Sequence, residues 1–178
     1  VVAVEPQPAC QRVLQRMFGN DSQVVLREEA LGQAPGEAQL LVSPRTPTVS
    51  TLAAEWAARV GTTPSFRGVR WSEAMRVPVT TLDALIAAHG RPDFVKIDVE
   101  GHEAAVLAGL TQPVPALSFE YLQAEPAAAL ACVERLEALA PHRYRACAGE
   151  RFRWLQPEAM DAGSVRRWID SWPRSGPD

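Results

Sequence analysis

Residues 93–103, Asp-Phe-Val-Lys-Ile-Asp-Val-Glu-Gly-His-Glu, constrain the fold of this chain more than any other stretch. Side chains alternate across a strand, so Val95, Ile97 and Val99 share one face, and Phe94, Lys96, Asp98 and Glu100 share the other. A strand inside a parallel sheet is covered on both faces. An uncompensated charge buried there costs on the order of several kcal/mol. Three charges along one face of such a strand therefore predict a ligand site at its carboxyl end, where open α/β sheets bind their ligands. Gly101 allows a sharp exit, and His102-Glu103 opens the following helix.

The rest of the chain reads as alternating strands and helices, which predicts a layered α/β fold. Residues 1–6 form an apolar strand ending at Glu5-Pro6. Residues 8–18 have helical spacing, with Val13, Leu14, Met17 and Phe18 on one stripe. A turn at 19–21 leads to a strand at 23–26, a loop at 28–32 and a strand at 38–42. Prolines 44, 47 and 64 break up residues 43–76, which read as an insertion or lid holding one short helix within 51–60. Trp71 either lines a substrate pocket or packs. A strand at 77–80 feeds a helix at 82–89 capped by Thr80 or Thr81. A helix at 103–110, a strand at 115–121 and an amphipathic helix at 126–139 follow. Residues 143–148 and 152–155 suggest a closing antiparallel pair. A terminal helix is expected within 157–172, then a frayed end at 173–178.

Composition narrows the functional classes. The 178 residues carry a net charge of −3, which gives no broad attraction to nucleic acid or an anionic membrane. No apolar run is long enough to span a bilayer. Cys10, Cys132 and Cys147 are odd in number, scattered and without metal-ligand spacing, which favours reduced thiols and a cytoplasmic setting. Nothing in the residues requires a metal, although Asp98, Glu100 and Glu120 could form an oxygen-rich cation site. Lys96 is the only lysine, in a chain whose other basic residues are arginine. A lysine retained inside a strand suggests a need for a compact ammonium, although chance retention is the plain alternative.

The order of three segments resembles the FkbM-type methyltransferases. Thr80-Thr81-Leu82-Asp83-Ala84-Leu85-Ile86 comes first, then the Lys96-Ile97-Asp98-Val99-Glu100-Gly101-His102-Glu103 strand and turn. A helix closed by Gly109 follows, then Leu117-Ser118-Phe119-Glu120. Each piece alone is weak, whereas the string in this order, over residues 1–155, is specific. The resemblance implies a class I Rossmann-like sheet, mostly parallel with an antiparallel closing hairpin. It places residues 156–178 as a C-terminal helix and tail. It also implies S-adenosylmethionine as cofactor and O-methyl transfer to a small molecule bearing a hydroxyl, such as a natural product or sugar. A homodimer stays open; neither nucleic acid nor membrane is an expected partner.

The resemblance places Glu5, with Pro6, at the second-strand position whose acid binds ribose hydroxyls. It places Glu29 and Ala30 in a loop beside the adenine. No Gly-x-Gly cluster occurs, although the family's glycine-rich turn should precede Glu5. The expectation is therefore an N-terminally incomplete domain lacking its first strand, with an open apolar slot between the strand at Glu5 and the strand at Lys96.

Asp98 could orient an acceptor hydroxyl, take its proton or contact the methionine part of the cofactor; the alternative is a structural acid paired with Lys96 or Arg91. Glu100 could face the reaction centre or cap the next helix. Glu103, in the first helical turn, suits the helix dipole. His102 is a candidate base but stands at a helix start, where a structural role is ordinary. Glu120, on the adjacent strand, should lie level with Asp98, to bind substrate or neutralise Lys96. Lys96 could steady negative charge on the acceptor oxygen. Competing readings are a non-catalytic interaction module and an NAD-binding oxidoreductase using Glu5. Glu-Gly-x-Glu after Val99 has no role in the latter.

Overall fold

The computed structural model describes residues 1–149 and 153–172. Part of the expected second closing strand, at 152, and the end at 173–178 lie outside them. In order, the elements are β1 (Val2–Val4), α1 (Pro8–Phe18), β2 (Val25–Arg27), β3 (Ala30–Leu31) and β4 (Gly36–Val42). Then come α2 (Ala54–Val60), β5 (Glu73–Thr80), α3 (Leu82–His89), β6 (Val95–Ile97) and α4 (Glu103–Ala108). β7 (Leu117–Phe119), α5 (Pro126–Leu139) and α6 (Ala162–Ser171) complete the described chain.

The strands form three small, mostly parallel sheets. β1 pairs with β2 in parallel and β6 with β7 in parallel; β5 lies between β3, parallel to it, and β4, antiparallel to it. The main core lies among β6, α3, α4, α5 and α6. Val106, Leu107, Leu110 and Ala129 are fully buried, and Val165 and Ile169 bring α6 into the same cluster. A second cluster, around Trp56, Ala57, Val60 and Phe66, is built within the segment between β4 and β5.

Helix boundaries follow their caps. Pro8 and Pro126 fill the first turns of α1 and α5, where a missing N–H costs nothing. Thr81 Oγ1 accepts from the Ala84 amide at 3.1 Å and starts α3. Asp83 accepts from the Thr111 amide at 3.0 and 3.1 Å and from its hydroxyl at 2.6 Å, and its own amide donates to the Gly109 carbonyl. Gly109 is forced by a close approach: a Cβ there would lie 2.3 Å from the Gly32 carbonyl oxygen. The Thr-Leu-Asp segment and Gly109 thus join α3, the end of α4 and the exit of β3.

Several expectations change. β5 begins at Glu73, because β4 holds it in register from Val42↔Glu73 to Gly36↔Val79; the excursion therefore spans 43–72. The apolar stripe of α1 is not its anchor. Val13 and Met17 are 51% and 65% exposed, and the buried residue is Gln11, which donates to the Glu5 and Arg27 carbonyls at 2.7 and 2.6 Å. The closing pair reduces to isolated antiparallel bridges, Tyr144↔Met160 and Cys147↔Trp154. The charged face of β6 is not covered: the Lys96 and Asp98 side chains are 65% and 44% exposed. Lys96 is therefore largely spared the expected burial cost, whereas Asp98 keeps part of it. They stand on the wall of an open groove.

Candidate functional site

The groove, of about 890 Å³, runs between β1 and β6. Each of these strands has one strand partner among the described residues, β2 for β1 and β7 for β6. One wall carries Val2, Val4, Glu5 and Pro6; the other carries Lys96, Asp98, Glu100 and His102. The carboxyl ends of β1 and β6 thus bring Glu5 and the Asp98–His102 turn to one cavity.

Chain direction at the end of β6 is set by two left-handed residues in succession, Glu100 at φ 53° and Gly101 at φ 85°. A non-glycine residue in this region is uncommon and must be held there. Glu103, 4% exposed, holds the turn from below: its Oε1 accepts from the Gly101 amide at 3.1 Å and, more weakly, from the Val99 amide at 3.4 Å. Burial raises the Glu103 pKa, and these backbone bonds partly oppose it. Glu103 is therefore a structural acid, and its first-turn position also suits the helix dipole.

The register Ile97↔Phe119 sets Glu120 level with Asp98, as expected. The two carboxyls are hydrogen-bonded. Burial, then the bond to Asp98, raises the Glu120 pKa. Burial also works to raise Asp98, but hydrogen bonds from Lys96 and Glu120 and the Lys96 charge outweigh it and hold Asp98 below the usual value. Glu100 borders both the groove and a small cavity shared with Glu120, Tyr121 and Trp56. Burial, then the nearby charges of Glu120, Asp98 and Glu103, push its pKa up to about 7. Burial lowers the His102 pKa, so its imidazole is neutral at pH 7.

On the opposite wall, Glu5 Oε1 accepts from the Gln7 amide at 2.7 Å, which fixes the carboxylate at the end of β1. Burial raises its pKa, and the bonds from Gln7 partly offset this. Ala30 lines the groove, but Glu29 does not: Arg27 binds both its carboxylate oxygens, which lowers its pKa. The Glu29 carboxylate is therefore engaged within its own segment. The groove volume lies within the ≈ 300–1,000 Å³ typical of small-molecule sites.

Sequence reasoning missed the residues that hold the Glu100 turn from above. The Thr51 hydroxyl donates to the Glu100 carbonyl at 2.6 Å, and the Trp56 ring packs on Gly101. Helical spacing puts Trp56 on one face with Leu52 and Val60 but does not say what that face meets, and the contacts of both residues are to positions about fifty residues away.

An α/β chain whose parallel strands end in an acid-lined turn beside an open groove has the architecture of a methyltransferase-like domain. The family model described as Methyltransferase FkbM domain matches residues 1–169, so the chain belongs to the FkbM methyltransferase family. No curated protein and no solved structure matches it. No helix among the described residues is long and apolar enough to cross a membrane.

Proposed function

We propose that this methyltransferase domain binds S-adenosylmethionine in the groove and transfers its methyl group to a hydroxyl oxygen of a small molecule. One observation carries the reading: a fixed carboxylate, Glu5, and a set of proton-handling groups, Asp98, Glu100 and His102, meet on opposite walls of one cavity of cofactor size. Glu5 would hold the ribose hydroxyls, with Pro6 and Ala30 as neighbouring walls. When bound, the cofactor supplies an electrophilic methyl on a sulfonium.

The acceptor hydroxyl must lose its proton as the new bond forms. Glu100, at about 7, is matched to accepting a proton near neutral pH. Asp98, whose pKa is held down by Lys96 and by its hydrogen bond with Glu120, would orient the hydroxyl. Neutral His102 could accept a second hydrogen bond. The main contribution of these groups is alignment.

The competing reading is a binding module without transfer activity. Transfer of a labelled methyl to a panel of sugars and hydroxylated metabolites separates the two. Transfer by the wild type that Glu100→Gln abolishes supports the first. Cofactor binding with no transfer to any hydroxyl supports the second.

A further inference from the structure

We propose that the excursion between β4 and β5 positions the proton acceptor: Thr51 and Trp56 lock the Glu100–Gly101 turn in its left-handed form and so aim the Glu100 carboxyl into the site. This deepens the proposed function and rests on it for the role of Glu100.

The geometry of the lock is two-sided. From above, Thr51 is 1% exposed and anchored by exchanged backbone bonds with Leu41 at 2.8 and 3.0 Å, which tie it to β4. Its hydroxyl accepts from the Ala53 amide at 2.9 Å and donates to the Glu100 carbonyl at 2.6 Å. That single hydroxyl links the rigid edge of one sheet to the one described non-glycine residue with positive φ. Trp56 is 4% exposed, edge-on to Phe66 and Trp71 at centroid distances of 5.4 and 6.1 Å, and its indole lies directly against Gly101. From below, Glu103 takes the Gly101 amide. A turn that costs backbone strain persists only where its surroundings over-determine it. Here contacts from two separate elements do so.

The consequence is chemical. The charged groups around the Glu100 carboxyl include Asp98 on its own strand end, Glu120 beyond β7 and Glu103 on α4, and Glu125, paired with Arg59, lines the same small cavity. Lys96 is engaged by Asp98. A relaxed turn would let the carboxyl swing out of this acid cluster into water, and its protonation would return toward that of an ordinary glutamate.

The test reads the Glu100 carboxyl itself, by ¹³C NMR titration of glutamate-labelled protein, the resonance being assigned by its loss in Glu100→Gln. Thr51→Val keeps the volume and removes the donor; Thr51→Ser keeps the donor. The expected result is a titration midpoint that falls by about half a pH unit or more in Thr51→Val as the carboxyl regains water, and stays at the wild-type value in Thr51→Ser. Trp56→Leu, which loosens the turn without touching Thr51, should shift it the same way and serves if Thr51→Val does not fold. An unchanged midpoint in a folded Thr51→Val or Trp56→Leu protein overturns the proposal. The titration needs neither cofactor nor acceptor. A protein that titrates as expected but transfers no methyl therefore overturns the proposed function and leaves the lock standing.

Discussion

The Trp56 indole fills the space that a side chain on residue 101 would need: a Cβ there would lie 2.3 Å from Trp56 Cγ. Gly101 also has φ 85°, so two independent constraints demand glycine. Gly101→Ala should lose about 2–4 kcal/mol of stability, combining left-handed strain with overpacking. Gly68→Ala is the control, because residue 68 has φ 93° but open space around it. It should cost only about 1 kcal/mol. Urea unfolding of both variants checks this; equal losses would remove the Trp56 contribution.

Glu100 should make the protein less stable as the medium becomes alkaline. An acid whose folded pKa is raised holds its proton more tightly in the fold than in the unfolded chain. Its stabilising contribution is full below the unfolded value of 4.5 and is lost as pH rises through about 7. Glu5, Glu103 and Glu120 are shifted in the same direction and add to the slope. Glu100→Gln mimics the protonated form, so at pH 8 it should be about 1–2 kcal/mol more stable than wild type after allowing for partial solvent screening. At pH 4 the two should match. Thermal melts at both pH values measure the difference, and the expected loss of transfer makes it a trade of activity against stability.

Lys96 should matter for charge rather than for stability. Its ion pair with Asp98 is largely solvated, so Lys96→Met should change unfolding free energy by less than about 1 kcal/mol. The same change removes the ammonium that holds Asp98 down, and the Asp98 pKa should rise. A ¹³C titration of the aspartate carboxyls checks the direction; an unmoved Asp98 would mean that Lys96 does not set its ionisation.

The Thr-Leu-Asp segment should prove structural. Thr81→Ala removes the α3 cap and should cost about 1 kcal/mol. Asp83→Ala leaves the solvent-exposed Thr111 amide to water, and should cost about 0.5–1.5 kcal/mol. Neither residue lines the groove, so binding of S-adenosylhomocysteine to the folded variants should stay within a few-fold of wild type. Calorimetry together with urea melts separates the two effects.

The bounds of α1, α3 and α5 were legible in the sequence because Pro8, Thr81 and Pro126 are local signals that act within one helical turn. The level placement of Asp98 and Glu120 followed from strand register alone. What was not legible depends on distant partners. β5 extends to Glu73 because β4 pairs with it, the stripe on α1 stays exposed because Gln11 does the anchoring, and the turn at Glu100 is held by Thr51 and Trp56. The Lys96–Asp98 face read as buried because alternation reveals which side chains share a face but not what covers it. Here the groove leaves it open.

The central claim is that Glu5 and the groove hold the cofactor, and titration of S-adenosylhomocysteine into the folded chain by calorimetry tests it most directly, with Glu5→Ala alongside. The account predicts saturable binding that Glu5→Ala weakens about tenfold or more, as expected for the loss of charge-assisted hydrogen bonds to the ribose. No heat from folded protein, or equal affinity in Glu5→Ala, would contradict it.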